Sequence, residues 1–196
     1  MRFLLGLPNS RLDAYAGKYC SRGAVFVGSL LFGLAVFGVV AGALLQEPSP
    51  AGFLLFVGAT VVYGLVFLGV GLALSAFLDS ETSVTAGIIS AHVLFRGGWM
   101  VLQWLGLRVT RGPGETAARP FPEWYYFSGR ANPMNAYAKL LDTLFNEGPQ
   151  FPLLTTPLPE ADSVATGDAD AVAALLAWLV VVPVVGYLGF KNKDVL

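Results

Sequence analysis

Residues 52–78 read GFLLFVGATVVYGLVFLGVGLALSAFL, a run without a single charge that is closed by Asp79-Ser80-Glu81. At about 1.5 Å per residue it is long enough to cross a ~30 Å hydrocarbon layer as a helix. The pattern repeats outward from it. Upstream, residues 23–45 (GAVFVGSLLFGLAVFGVVAGALL) are equally apolar and stop at Gln46-Glu47-Pro48-Ser49-Pro50, where two prolines break the helix. Downstream, residues 84–107 form a less pure span carrying His92, Arg96 and Gln103, and residues 171–190 form a last one that contains Pro183. Bilayer helices tolerate such a proline when neighbours satisfy the freed carbonyl. The fold expected is an all-α integral membrane protein with four transmembrane helices, a short cytoplasmic N-terminal helix and an amphipathic helix outside.

Composition agrees. Of 196 residues 55% are hydrophobic and 13% charged, against roughly 45–50% and 25% in soluble domains. A net charge of −1 without a basic stripe argues against nucleic acid as a partner. One cysteine, Cys20, excludes an intramolecular disulfide and a cysteine-based zinc cluster. Arg2, Arg11, Lys18 and Arg22 precede the first span against Asp13 alone, and Lys191 and Lys193 follow the last. With an even span count, the positive-inside rule places both termini in the cytoplasm. Residues 108–170, with five basic and eight acidic side chains, would then face out.

Several segments invite a role. Residues 1–22 contain LPNSRLDAYAGKYCSR (7–22), where Ser10 and Asp13 fit a capping box and predict a short cytoplasmic helix. Outside, the aromatic run 124–127 precedes Asn132-Pro133, an N-cap and first helical position, and a helix over 133–146. Its Met134, Tyr137, Leu140, Leu141, Leu144 and Phe145 share one face, which suits the headgroup layer. Gly38 and Gly42 make a GxxxG pair, and Gly69/Ala73 and Gly71/Ser75 repeat the small-xxx-small spacing by which bilayer helices pack. His92 and Arg96 stand four apart on one face of the third span. Ionisable groups at that depth mark a candidate substrate path, with snorkelling to headgroups as the plainer reading for Arg96.

No chemistry of its own is expected of this chain. There is no HExxH, no second histidine and no Ser/His/Asp set, so neither a catalytic residue nor a cofactor or metal site is predicted. Ala16-Gly17-Lys18-Tyr19 fails as a phosphate-binding loop, since Leu12 stands where the first glycine belongs and Tyr19 replaces Ser or Thr.

The stretch LLGLPNSRLDAYAGKYCSR directly before a span resembles ABC-2-type transporter permeases, especially the multicopper-enzyme-maturation-like group. In those proteins an LPxSRxxxxxGK stretch precedes the third of six membrane helices. Leu7, Pro8, Ser10, Arg11, Gly17 and Lys18 match it here, and the likeness continues through Asn132-Pro133-Met134-Asn135-Ala136-Tyr137 to the short tail 191–196 with Asp194. The resemblance implies a permease subunit lacking the family's first two helices. It implies a homodimer or heterodimer of permease chains in lipid, driven by a separate ABC ATP-binding subunit. Pro8, Ser10, Arg11, Asp13, Gly17 and Lys18 would receive the ATPase stroke. The alternative is a non-transporting membrane scaffold or assembly factor.

Overall fold

The structure is a computed structural model that describes residues 10–44, 49–111, 121–145 and 167–192. In chain order its helices are α1 (Arg11–Leu44), α2 (Pro50–Phe77), α3 (Glu81–Val93), a π-helical turn (Leu94–Gly98), α4 (Trp99–Arg111), α5 (Glu123–Ala131), α6 (Pro133–Phe145) and α7 (Asp168–Asn192). Four of the helical stretches are long and apolar enough to cross a membrane: α1, α2, the 31-residue unit Glu81–Arg111 and α7.

Local chemistry fixes where these helices begin. Ser49 accepts from the Gly52 amide at 3.2 Å with Pro50 in the first turn, and Ser80 accepts from the Ser83 amide at 3.0 Å. At the head of α1, Ser10 and Asp13 close a reciprocal box. The Asp13 amide donates to Ser10 Oγ at 3.2 Å, and the Ser10 amide donates to the Asp13 carboxylate at 2.9 Å. Residues 11–22 are helical as expected but run without a break into the first span. The 34 residues of α1 cover about 51 Å, well beyond the hydrocarbon. Residues 84–107 likewise lie within a longer unit, Glu81–Arg111, while position 45, the expected end of the first span, lies outside the described residues.

α2 and α7 form the heart of the bundle, parallel and closely packed, with Gly69 against Val182, Ala73 against Gly186 and Phe77 against Gly189. Ala73 meets Gly186 so tightly that a Cβ on Gly186 would stand 3.0 Å from the Ala73 Cα, and Gly69 faces Val182. The Gly69/Ala73 spacing therefore serves the contact that small residues allow, backbone against backbone. Gly71 instead faces Ile88 of α3. Of the GxxxG pair, Gly38 lies under the Phe53 ring while Gly42 has nothing within 4 Å among the described residues. α1 packs on α2 through Gly23 against Leu65 and Leu68, and Gly64 under Phe26. Its first turns also meet α7, while the rest of α1 presents Val25, Phe32 and Val39 more than 70% exposed.

Between the third and fourth spans, α5 and α6 fold back into the bundle as a helical hairpin. Its tip at Asn132 reaches Phe95, midway along Glu81–Arg111, and Ala131 reaches Trp178. Trp178 lies ten residues into α7, roughly 15 Å from its start. The apolar face of α6 is therefore turned to protein as well as being amphipathic. Ala136 is fully buried with Ala171 and Leu175, and Tyr137 stacks on Tyr63 at 4.4 Å.

Candidate functional site

The hairpin is held by side chains that satisfy main-chain carbonyls, as a backbone buried at membrane depth requires. α5 descends along α4, where Gln103 Nε2 donates to the Tyr125 carbonyl at 2.9 Å and to Ser128 Oγ at 3.1 Å. Trp99 Nε1 donates to the Ser128 carbonyl at 2.8 Å. On the other flank Trp178 Nε1 donates to the Ala131 carbonyl, also at 2.8 Å. Thr60 and Tyr137 pair their hydroxyls at 2.8 Å, tying α6 to α2.

Asn132 is the keystone of this arrangement. It is fully buried, and its two ends do different work. Oδ1 accepts from the Met134 amide at 2.9 Å, capping α6, while Nδ2 donates to the Phe95 carbonyl at 2.6 Å. Phe95 lies in the π turn, whose wider winding leaves carbonyls without their usual α-helical partners. The cap was legible from Asn132-Pro133; the turn that receives the other end was not. Gly97-Gly98 was its one hint, since paired glycines lower the cost of irregular winding. Asn135 completes the tip by donating Nδ2 to the Gly129 carbonyl at 3.0 Å.

His92 and Arg96 lie on either side of the start of the π turn and both are exposed on the bundle surface. The His92 ring meets Phe67 edge-on at 6.2 Å. Arg96 lies fifteen residues from each end of Glu81–Arg111, at its midpoint, and forms no hydrogen bond or ion pair among the described residues. With ~15 Å to either edge of the hydrocarbon, this is too deep for easy snorkelling.

At the opposite end of the bundle from the α5–α6 loop side, α1 meets the end of α7. Ser10, Arg11, Asp13 and Gly17 are exposed, and nothing lies within 4 Å of the Cβ position at Gly17. Pro8 lies outside the described residues. Arg11 donates to the Lys191 carbonyl, and Lys18 sits over the Phe190 ring at 5.1 Å. Tyr15 is buried between Tyr187 and Phe190. Hydrogen bonds from the Ser10 hydroxyl and amide hold the Asp13 carboxyl below the usual carboxylate range. The end therefore presents a small polar surface on a firmly seated helix.

No curated protein matches the chain. A family model described as ABC-2 family transporter protein matches residues 1–195, nearly the whole of it. Four apolar spans, a first helix opened by Ser10-Arg11 and a re-entrant hairpin before the last span thus stand in a chain that belongs to the ABC-2 transporter family.

Proposed function

We propose that this membrane-spanning permease subunit works beside a second permease chain, with the substrate path at the seam between them. The observation that carries this reading is Arg96. A charged side chain at the midpoint of a span costs roughly 2.5–3.5 kcal/mol even on the most lenient insertion scales. Here it points to the outside of the bundle, with His92 on the same helix, so lipid is the costliest neighbour it could have. A water-filled path or a second copy removes that cost. A polar or anionic substrate is the class such a path would accept.

The stroke comes from a separate ATP-binding subunit that docks on the exposed first turns of α1. Residues 8–18, including Ser10, Arg11, Asp13 and Gly17, form the surface it grips, with Lys18 at the inner edge, and both termini lie in the cytoplasm. ATP hydrolysis belongs to that partner. Because α1 continues unbroken into the first span, a push on its head is carried into the membrane without a hinge.

Gly17 gives a clean test. Gly17→Arg fills open space, so the fold is kept while the docking surface is blocked. Tagged wild-type chain drawn from its native membranes in mild detergent should bring an ATP-binding subunit with it, and Gly17→Arg should lose it. Intact wild-type chain that retains no such subunit would exclude this reading and leave a membrane scaffold.

A further inference from the structure

A cavity of about 210 Å³ opens between α1, α2 and α7 at the end that carries Arg11 and Asn192. Lys18, Arg22, Ser75, Tyr15, Leu72 and Phe190 are among its walls. At ~30 Å³ per water, that volume has room for a phosphate group. We propose that it binds the phosphate headgroup of an anionic phospholipid, held between Lys18 and Arg22.

Charge is the first argument. Lys18 and Arg22 are four residues apart on α1 and so share a face. Among the described residues neither forms an ion pair and no carboxylate lines the cavity. The nearby Asp13 carboxylate is already engaged by Ser10. Lys18 is held against the Phe190 ring, which directs its charge without neutralising it. Ser75, whose hydroxyl donates to the Leu72 carbonyl at 2.7 Å, keeps its oxygen at the wall.

Depth is the second argument. The 28 residues of α2 span about 42 Å, matching the ~40–45 Å of hydrocarbon plus headgroups. Ser75 and Leu72 lie two and five residues before its end at Phe77, hence roughly 3 and 8 Å inside. That is the layer in which lipid phosphates lie. The third argument selects a lipid over free phosphate. Val25, three residues after Arg22, and Phe77, next to Ala76, are 72% and 53% exposed, apolar surface that acyl chains would cover. Both cations line the cavity against α2 and α7; Lys18 borders the proposed docking surface, whereas Arg22 lies beyond it, so Arg22→Gln alone tests the lipid site apart from any ATPase partner.

The test is native mass spectrometry of the full chain offered equal amounts of dioleoyl phosphatidylglycerol and dioleoyl phosphatidylcholine. Wild type should retain one phosphatidylglycerol in preference. Lys18→Gln with Arg22→Gln should lower that preference about five-fold per cation removed, and Lys18→Arg with Arg22→Lys should keep it. Excess inorganic phosphate should leave the lipid in place. Equal retention of the two lipids by wild type, or an unchanged preference in the neutral pair, would overturn the site; displacement by inorganic phosphate would overturn its assignment to a lipid. A reading free of any variant is the salt dependence of the wild-type preference, which should fall as ionic strength rises. A preference indifferent to salt would also count against the site.

Discussion

Replacing Asn132 by alanine removes both ends of the bond set at the hairpin tip. The Met134 amide loses its cap, worth about 1 kcal/mol. The Phe95 carbonyl loses its donor in a buried place, where an orphaned acceptor costs about 1–3 kcal/mol. Cross-helix hydrogen bonds in bilayers average only about 0.6 kcal/mol and reach about 1.7, which draws the second figure to its lower half. The sum is about 2.5 kcal/mol, roughly a sixty-fold shift in the unfolding equilibrium. Asn132→Ser separates the two losses. Its hydroxyl can still cap α6 but is too short to reach Phe95, so about 1.5 kcal/mol should be lost. Trp99 and Trp178 donate to hairpin carbonyls, and their fluorescence during reversible unfolding in mixed micelles reports the tip directly. An alanine variant within about 0.5 kcal/mol of wild type would refute the idea that Asn132 fastens the hairpin to the span.

Gly186→Ala places a methyl 3.0 Å from the Ala73 Cα and against the Tyr15 hydroxyl, and should destabilise by about 1–3 kcal/mol. Gly42→Ala, in open space, should instead leave the thermal midpoint unchanged or raise it, since alanine favours a helix by up to about 1 kcal/mol. If α3 lies at a seam between copies, His92→Cys in a Cys20→Ser background should cross-link to dimers in native membranes, while Val25→Cys should not. Equal yields at the two positions would remove the seam. Because Asp13 titrates below an ordinary aspartate, its box is intact above the usual carboxylate range and is lost only as pH falls through the lower folded value. A carbon NMR titration should show this, and Ser10→Ala should return Asp13 upward.

The four spans are legible because length and apolarity alone decide a membrane helix. The heads of α1 and α6 are legible too, since Ser10 and Asn132 each cap with a short side chain that reaches its own turn. The amphipathic face of α6 can be read from spacing, but what covers it cannot. Tyr137 suits a headgroup layer as well as it suits Tyr63, and the choice is made by α2 and α7, far away in sequence. Gln103 stands out as an impurity in the third span. Its meaning depends on where α5 lies, and no local pattern encodes that. The same holds for the glycines: among the described residues Gly186 makes the closest approach although it belongs to none of the spaced pairs, whereas Gly42, which does, meets no neighbour.

The π turn at Leu94–Gly98 also sets the angular register between the two halves of its span. Such a turn absorbs one surplus residue in an otherwise regular helix. Were that residue absent, α4 would swing by about 100° relative to α3, the angle of one α-helical step. The lower half is fixed by Ile88 and Gly87 against α2, and the upper half by Trp99 and Gln103 against α5. Both could not then be honoured together. The extra residue is thus what lets a single rod address two partners lying in different directions.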